Sequence, residues 1–220
     1  MASENTIMAL TRTSRPGGRT AQVRAAVLAA VQAELAEHGY DALSIDSVAQ
    51  RSGVHRATVY RRWRDVGGLL ADILNAARVE GWEPPDTGSL AGDLVALNRE
   101  FLAAFTAQPS ISAALVAASF RSPDAAQALR AFWADRYDRC AIVVTRAAQR
   151  GEARPDTDHR RLLMAATSPL YHHLVLLREP LPTQLADQYA HDAADAARAG
   201  VYRATRSRTL FLKSEAKCQG

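Results

Sequence analysis

Cysteine is nearly absent. Cys140 lies in an apolar stretch and Cys218 in a polar tail, and they are the two in the chain. They supply neither a disulfide framework nor a zinc-ligand spacing, and they point to a reducing, cytoplasmic setting. No apolar run approaches the roughly 20 residues of a membrane span. The N-terminus, with Glu4 and no long apolar core, is not expected to be an export signal. Aromatic residues make up 6% of the chain, and few segments alternate with period two, which argues against runs of strands. Also missing are G-x-S-x-G, a glycine-rich phosphate loop and H-E-x-x-H. The acid pairs Asp135/Asp138 and Asp192/Asp195 stand at i, i+3 beside arginines and read as solvated ion-pair faces. No two histidines stand at i, i+4. His172 and His173 are adjacent, so on a helix they point to different faces. Neither an enzyme, a cofactor nor a metal site is expected.

What is present is 48% hydrophobic and rich in alanine, which favours an all-α protein. The net charge of +4 is unevenly spread. Residues 1–65 hold nine Arg against six acidic residues; residues 66–200 hold thirteen Arg against sixteen; residues 201–220 hold five Lys or Arg against one Glu. A basic head on a slightly acidic body suits a polyanion-binding part joined to a carrier of another kind.

The segment Leu43–Trp63, LSIDSVAQRSGVHRATVYRRW, organises the head. Ser44 is placed to cap a helix whose Ile45, Val48 and Ala49 share one face. Gly53 follows where a chain leaving a helix often turns left-handed. Val54, Val59 and Trp63 return to the buried side, while His55, Arg56, Thr58, Tyr60, Arg61, Arg62 and Arg64 lie between them. This is the spacing of a helix-turn-helix, in which an apolar back holds a donor-rich front against phosphates and base edges. A solvated basic helix on an ordinary bundle has the same periodicity, so this stretch alone leaves both readings open.

Around it, residues 1–18 read as a disordered arm in which Arg12, Arg15 and Arg19 are candidate phosphate or minor-groove contacts. A helix is expected from Thr20 to His38, with Val23, Val27, Leu28, Val31 and Leu35 as its stripe and Gly39 as its stop. Asp65 is a candidate cap for a fourth helix reaching about Glu80, whose first turn Gly67 and Gly68 weaken. GWEPPDTGS, residues 81–89, is a loop. Five helices are then expected, over about 90–107, 110–120, 123–150, 158–177 and 183–199. The last twenty residues form a basic tail containing TLFLK, either disordered or docked on a neighbour.

The amphipathic first helix ending in HGY, the run SIDSVAQRSGV and the T-x-Y-R-R-W ending followed by Leu69-Leu70 resemble the TetR family of bacterial transcriptional repressors over roughly residues 20–75. The family usually ends its recognition helix in Tyr-x-x-Phe; here Trp63 takes the Phe place. Many members carry a lysine near the start of the fourth helix, where this chain has Val66, Gly67 and Gly68; Arg64 is the candidate substitute. The resemblance implies an all-α fold with a helix-turn-helix head over 19–65 and a helical ligand-binding and dimerisation domain over 66–200. It implies double-stranded, palindromic operator DNA as partner, contacted by Thr58 and Tyr60 on the backbone, by His55 and Arg56 at the start of the recognition helix, and by Ser44 at the preceding helix start. Arg61, Arg62 and Arg64 are candidate groove or phosphate contacts. It implies a homodimer through the last two helices, whose Leu162, Leu163, Leu170, Leu174, Leu177, Leu185 and Tyr189 suit a helix pair buried on its outer side as well. It also implies a small hydrophobic or aromatic effector, with Trp82, Phe101, Phe105, Phe120, Trp133, Tyr137, Tyr171 and His172 as candidate ligand contacts. Two alternatives stand beside this reading: a DNA-binding regulator with no small effector, and a helical ligand-binding protein with weakened DNA binding.

Overall fold

A computed structural model of the chain describes residues 18–79 and 82–204, except for the side chains of 77–79. The expected arm residues Arg12 and Arg15 and the TLFLK segment lie outside the described residues. Within them the chain is helical, and the extended pairing is the single bridge between Thr157 and Arg203. The helices group into two compact units.

The first unit takes residues up to Ala77 together with Gln108–Leu129. It holds α1 (Gly18–His38), α2 (Ile45–Ser52), α3 (Arg56–Trp63), most of α4 (Val66–Val79), α6 (Ile111–Ser119) and the first turns of α7 (Pro123–Arg139). The expected stripe of α1 divides: Val27, Val31 and Leu35 are buried, whereas Val23 and Leu28 are half-buried. Leu43, Val48, Ala49, Val59, Trp63, Leu69 and Leu70 are buried too. Gly39 stops α1 with a φ of 76°, a left-handed conformation that costs glycine little. On the side of α1 toward α2, the buried Glu34 pairs with Arg51, and Arg51 Nη1 donates to Glu37 Oε1 at 2.8 Å. The Arg51 guanidinium holds both carboxyls below their ordinary range. A chain boundary at 65/66, the sequence expectation, follows the motif; the compact units follow packing, and α6 groups with the N-terminal helices.

The second unit takes Arg78–Ala107 and the residues from Arg130 onward. It holds α5 (Leu90–Thr106), the rest of α7, α8 (Ala141–Gln149), α9 (His159–Tyr171), a π-helical segment His172–Leu177 and α10 (Thr183–Arg198). Ser89 caps α5 as expected, accepting from Gly92 N at 3.1 Å. One core gathers Leu90, Leu94, Val143, Val144, Leu162, Leu163, Ala190 and Ala194. A second gathers Phe101, Leu102, Leu170, Leu181 and Ala186. Asn98, fully buried on α5, ties three helices: its Nδ2 donates to Ala166 O at 3.1 Å on α9 and to Ala186 O at 2.8 Å on α10.

Three expectations are corrected here. The single helix expected over 123–150 is two helices. At Cys140 ψ is −6°, and Val143 N donates to Cys140 O, a tight i to i+3 bond that turns the chain and buries the thiol. The helix expected over 158–177 is α-helical only to Tyr171 and then widens to a π-helix. Pro169 sits inside α9, where it has no N–H to give the carbonyl of Ala165; the widening starts beyond it, at His172. Finally, most of the apolar residues expected on an outer face of the last two helices pack within the chain's own second unit. Leu162, Leu163 and Leu170 are buried and Leu174, Leu185 and Tyr189 pack on the core, whereas Leu177 is exposed. The outward side of α10 is polar, with Gln188, His191, Asp192 and Asp195 exposed. The start of the tail docks on the chain itself: Asp158 N donates to Tyr202 O and Ala204 N to Asp156 O, both at 2.7 Å.

Candidate nucleic-acid interface

The turn between α2 and α3 sets the site. Ser44 Oγ accepts from Ser47 N at 3.0 Å, and Ser47 Oγ is placed 3.1 Å from Ser44 N, a reciprocal capping box. At the other end Gly53 has a φ of 68° and closes α2. His55 then caps α3, its Nδ1 accepting from Ala57 N at 3.3 Å.

The resulting α3 is two-sided. Val59 and Trp63 are buried, while His55, Arg56, Tyr60, Arg61, Arg62 and Arg64 are exposed, Tyr60 to 56%. Thr58 and Ser44 are half-buried at its edge. Of the eight side chains singled out in the sequence, six are exposed and two half-buried, and none is sealed in the core. Arg56 is ion-paired with the exposed Asp46 of α2, a partner the sequence reading overlooked. Arg62 lies over the Trp63 ring at 4.9 Å and donates to Thr20 O at 3.4 Å, linking α3 to the start of α1. Arg61 makes no hydrogen bond or ion pair among the described residues, which leaves its donors unspent.

Behind α3, one carboxylate holds the helix in place. Asp72 of α4 accepts Arg24 Nε at 2.9 Å and Nη2 at 2.8 Å, and its Oδ2 also accepts the Trp63 indole N–H at 2.9 Å. Burial alone would raise the Asp72 pKa, but the bonds from Arg24 and Trp63 and the nearby charge of Arg62 outweigh it and leave the carboxyl lowered. The Trp at the family's Phe position therefore brings a donor that a Phe lacks.

The glycine pair that departs from the family pattern has a packing cause. Arg64 adopts φ 59° and ψ −50°, and Asp65 N donates to Trp63 O at 2.6 Å, a tight γ-turn. Asp65 Oδ1 caps α4 by accepting Gly68 N at 2.8 Å, and Ser122 Oγ donates to the same oxygen at 3.2 Å. A Cβ on Gly68 would overlap the Trp63 carbonyl oxygen, and one on Gly67 would overlap the Ser122 side chain. The first turn of α4 needs Gly68 to start this close to the end of α3, and Gly67 to pack this close against Ser122.

The candidate ligand residues fall into two sets. Phe101, Phe105, Trp133, Tyr137 and Tyr171 form one aromatic cluster in the second unit. Phe101 stacks on Phe105 at 4.5 Å and meets Tyr171 edge-on at 4.8 Å, and Trp133 Nε1 donates to Tyr171 Oη at 2.7 Å. Burial pushes the Tyr171 hydroxyl pKa up and keeps it a neutral donor or acceptor. Trp82 sits beside this cluster's helix, with its ring 3.6 Å from the Arg136 guanidinium carbon. Phe120 and His172 stand apart. Phe120 is 79% exposed just beyond the end of α6 in the first unit, and His172 is exposed and adjoins only His173 among the described rings.

Comparison with known proteins agrees with this arrangement. Residues 27–73 match the model of the bacterial regulatory proteins of the tetR family, and residues 84–193 match the tetracyclin repressor-like C-terminal domain. The HTH-type transcriptional regulator AqdR of Rhodococcus erythropolis is 34% identical over 180 residues, spanning 78% of this chain and 86% of that protein. The DNA-binding transcriptional repressor TetR of Mycobacteroides abscessus is 33% identical over 161 residues, 69% of this chain and 82% of its own. The crystal structure of the TetR family transcription regulator SCO0332 superposes with a TM-score of 0.62 at 31% identity, covering 79% of this chain and 97% of that one. The head, the helical body and these relatives together place the chain in the TetR family of transcriptional regulators.

Proposed function

We propose that the protein is a homodimeric repressor that holds a palindromic operator and releases it when a small, mainly apolar or aromatic effector enters the second domain. The observation that carries the DNA half is the two-sidedness of α3: Val59 and Trp63 are sealed while Tyr60, Arg61, Arg62 and Arg64 face outward. In this reading residues 19–65 form the head and 66–200 the effector and dimer body. His55, Arg56, Arg61 and Arg62 meet base edges or phosphates, Thr58, Tyr60 and Arg64 meet the backbone, and Ser44 presents the α2 N-terminus to a phosphate. Arg56 exchanges Asp46 for DNA on binding. Such a protein acts on chromosomal DNA in the cytoplasm.

Two heads must stand about one helical turn, roughly 34 Å, apart on a palindrome, so the body sets their spacing. A pairing surface on α9 and the π-helical segment is supported by Met164, Leu176 and Leu177, exposed to 46%, 70% and 47%. The aromatic cluster supports an effector of aromatic character. Of the two alternatives, weakened DNA binding rested on Val66-Gly67-Gly68. The packing of both glycines accounts for that sequence without it.

The test is a mobility shift on genomic fragments followed by anisotropy on the palindrome recovered. Affinity should fall steeply with salt, through release of counterions from the phosphates. Tyr60→Ala and Arg61→Ala should each lower it by about tenfold while the dimer stays intact. Parental affinity in both variants would show that the recognition face is wrongly assigned.

A further inference from the structure

Arg136 is a half-buried cation whose Nη1 is sealed from solvent with an incomplete set of partners. It lies on α7 between Phe132 and Tyr137, with its guanidinium carbon 3.6 Å from the Trp82 ring centroid and 5.0 Å from that of Phe132. Its side chain is 17% exposed. The anion opposite is Glu100, whose Oε1 stands 3.5 Å from Arg136 Nη1, too far for a good hydrogen bond. The other Glu100 oxygen accepts the Trp82 indole N–H at 2.9 Å, and Glu100 is itself about half exposed. Nη1 is buried and has no hydrogen-bond partner among the described residues. Burial lowers the Arg136 pKa, with Glu100 opposing, so the charge is held at a cost.

The same guanidinium borders an aromatic wall. Phe132 meets Trp133 edge-on at 5.5 Å, and Trp133 adjoins Phe101, Tyr137 and Tyr171 at 5.9, 5.4 and 5.8 Å. A carboxylate offers the in-plane pair of acceptors that a guanidinium fork takes best. An aromatic body offers the faces and edges that this wall takes best. A neutral ring would leave Nη1 unpaired, and an aliphatic acid would leave the wall unmatched. A phosphate dianion would bring more charge than one guanidinium, already shared with Glu100, can offset.

We propose that Arg136 is the anion-reading group of the effector site and that the effector class is a small aromatic acid, of one or two fused rings bearing a carboxylate. This rests on the reading that the second domain takes an effector. The incoming carboxylate displaces Glu100 from Nη1, Trp82 stays stacked on the guanidinium, and the rings lie against Phe132 and Trp133.

The test titrates the full-length protein by calorimetry with 2-naphthoate and with its neutral counterpart, 2-naphthamide. The acid is expected to bind at least about tenfold tighter than the amide. Arg136→Gln should bring the acid down to the amide's affinity and leave the amide unchanged. Glu100→Gln keeps an acceptor for Trp82 but removes the competing charge, and should tighten the acid several-fold, a gain that no folding defect produces. Equal affinities for acid and amide, no saturable binding of the acid, or a folded Arg136→Gln with parental acid affinity overturns the proposal. Should Arg136→Gln fail to fold, Glu100→Gln decides, and the absence of a gain overturns it. Operator affinity is measured in parallel. Acid bound through Arg136 with no change in DNA affinity would sink the effector-release reading and leave this site standing. Release by the amide and the acid alike would do the reverse.

Discussion

The indole N–H of Trp63, the last residue of the recognition helix, donates to the carboxylate of Asp72 at 2.9 Å. That carboxylate is also gripped by Arg24 from α1. One acid on α4 therefore positions both the first helix and the end of α3. Trp63→Phe keeps a buried ring and deletes the donor. It should destabilise the fold by about 1.5–3 kcal/mol, the ordinary worth of a bond to a charged group, read from urea unfolding. A stability equal to the parent's would mean that the bond contributes nothing to positioning α3.

Asp72→Asn tests the charge. Because the folded carboxyl is lowered, its ionised form favours the fold. That contribution is complete above the ordinary carboxylate value near pH 4 and is lost as pH falls through the lowered value. The Asn variant should be less stable than the parent at neutral pH and should lose less on acidification from about pH 5 to pH 2. Parallel stability curves for the two proteins across that window would refute the assignment.

Gly68→Ala places a methyl group into the Trp63 carbonyl. The backbone must move at the joint of α3 and α4, at a cost of about 1–3 kcal/mol, and operator affinity should fall with it. Gly18→Ala is the control: its Cβ would meet nothing within 4 Å, and it should be neutral or stabilising by up to about 1 kcal/mol. Similar melting temperatures for the two variants would argue against the tight joint.

Asn98→Asp replaces a buried amide that donates to two helix carbonyls with an acceptor. The new carboxyl would face two carbonyl oxygens without water, so its pKa should rise. The loss should be about 2–4 kcal/mol at neutral pH and smaller near pH 4, where the acid keeps its proton and can donate to one carbonyl. A loss independent of pH would point to packing alone.

The head was legible because its signals are local. Ser44 and Gly53 punctuate α2, and the alternation of Val59 and Trp63 with basic residues falls at helical spacing. The break at Cys140 was not legible, since Leu129, Phe132, Trp133, Tyr137, Val143 and Ala147 continue one apolar stripe with no glycine or proline between them. The π-helical turn carries no periodic signal of its own, and the apolar stripe from Leu162 to Leu177 runs on across it. Phe120 follows an apolar run but lies one residue past the end of α6, so it points away from the run that suggested its burial. Asp72 and Arg136 act through partners 48 and 36 residues away, a pairing that periodicity does not encode. Glu100 carries no local sign of its role and stands opposite Arg136 only once α5 and α7 are placed.

Only Arg64 and Asp65 separate α3 from α4, and both are spent, one on the γ-turn and one on the cap. Such a coupling has no slack to absorb a tilt. Whatever angle α4 takes, α3 inherits it, so the two helices should shift as one piece and keep or lose their order together rather than loosen residue by residue.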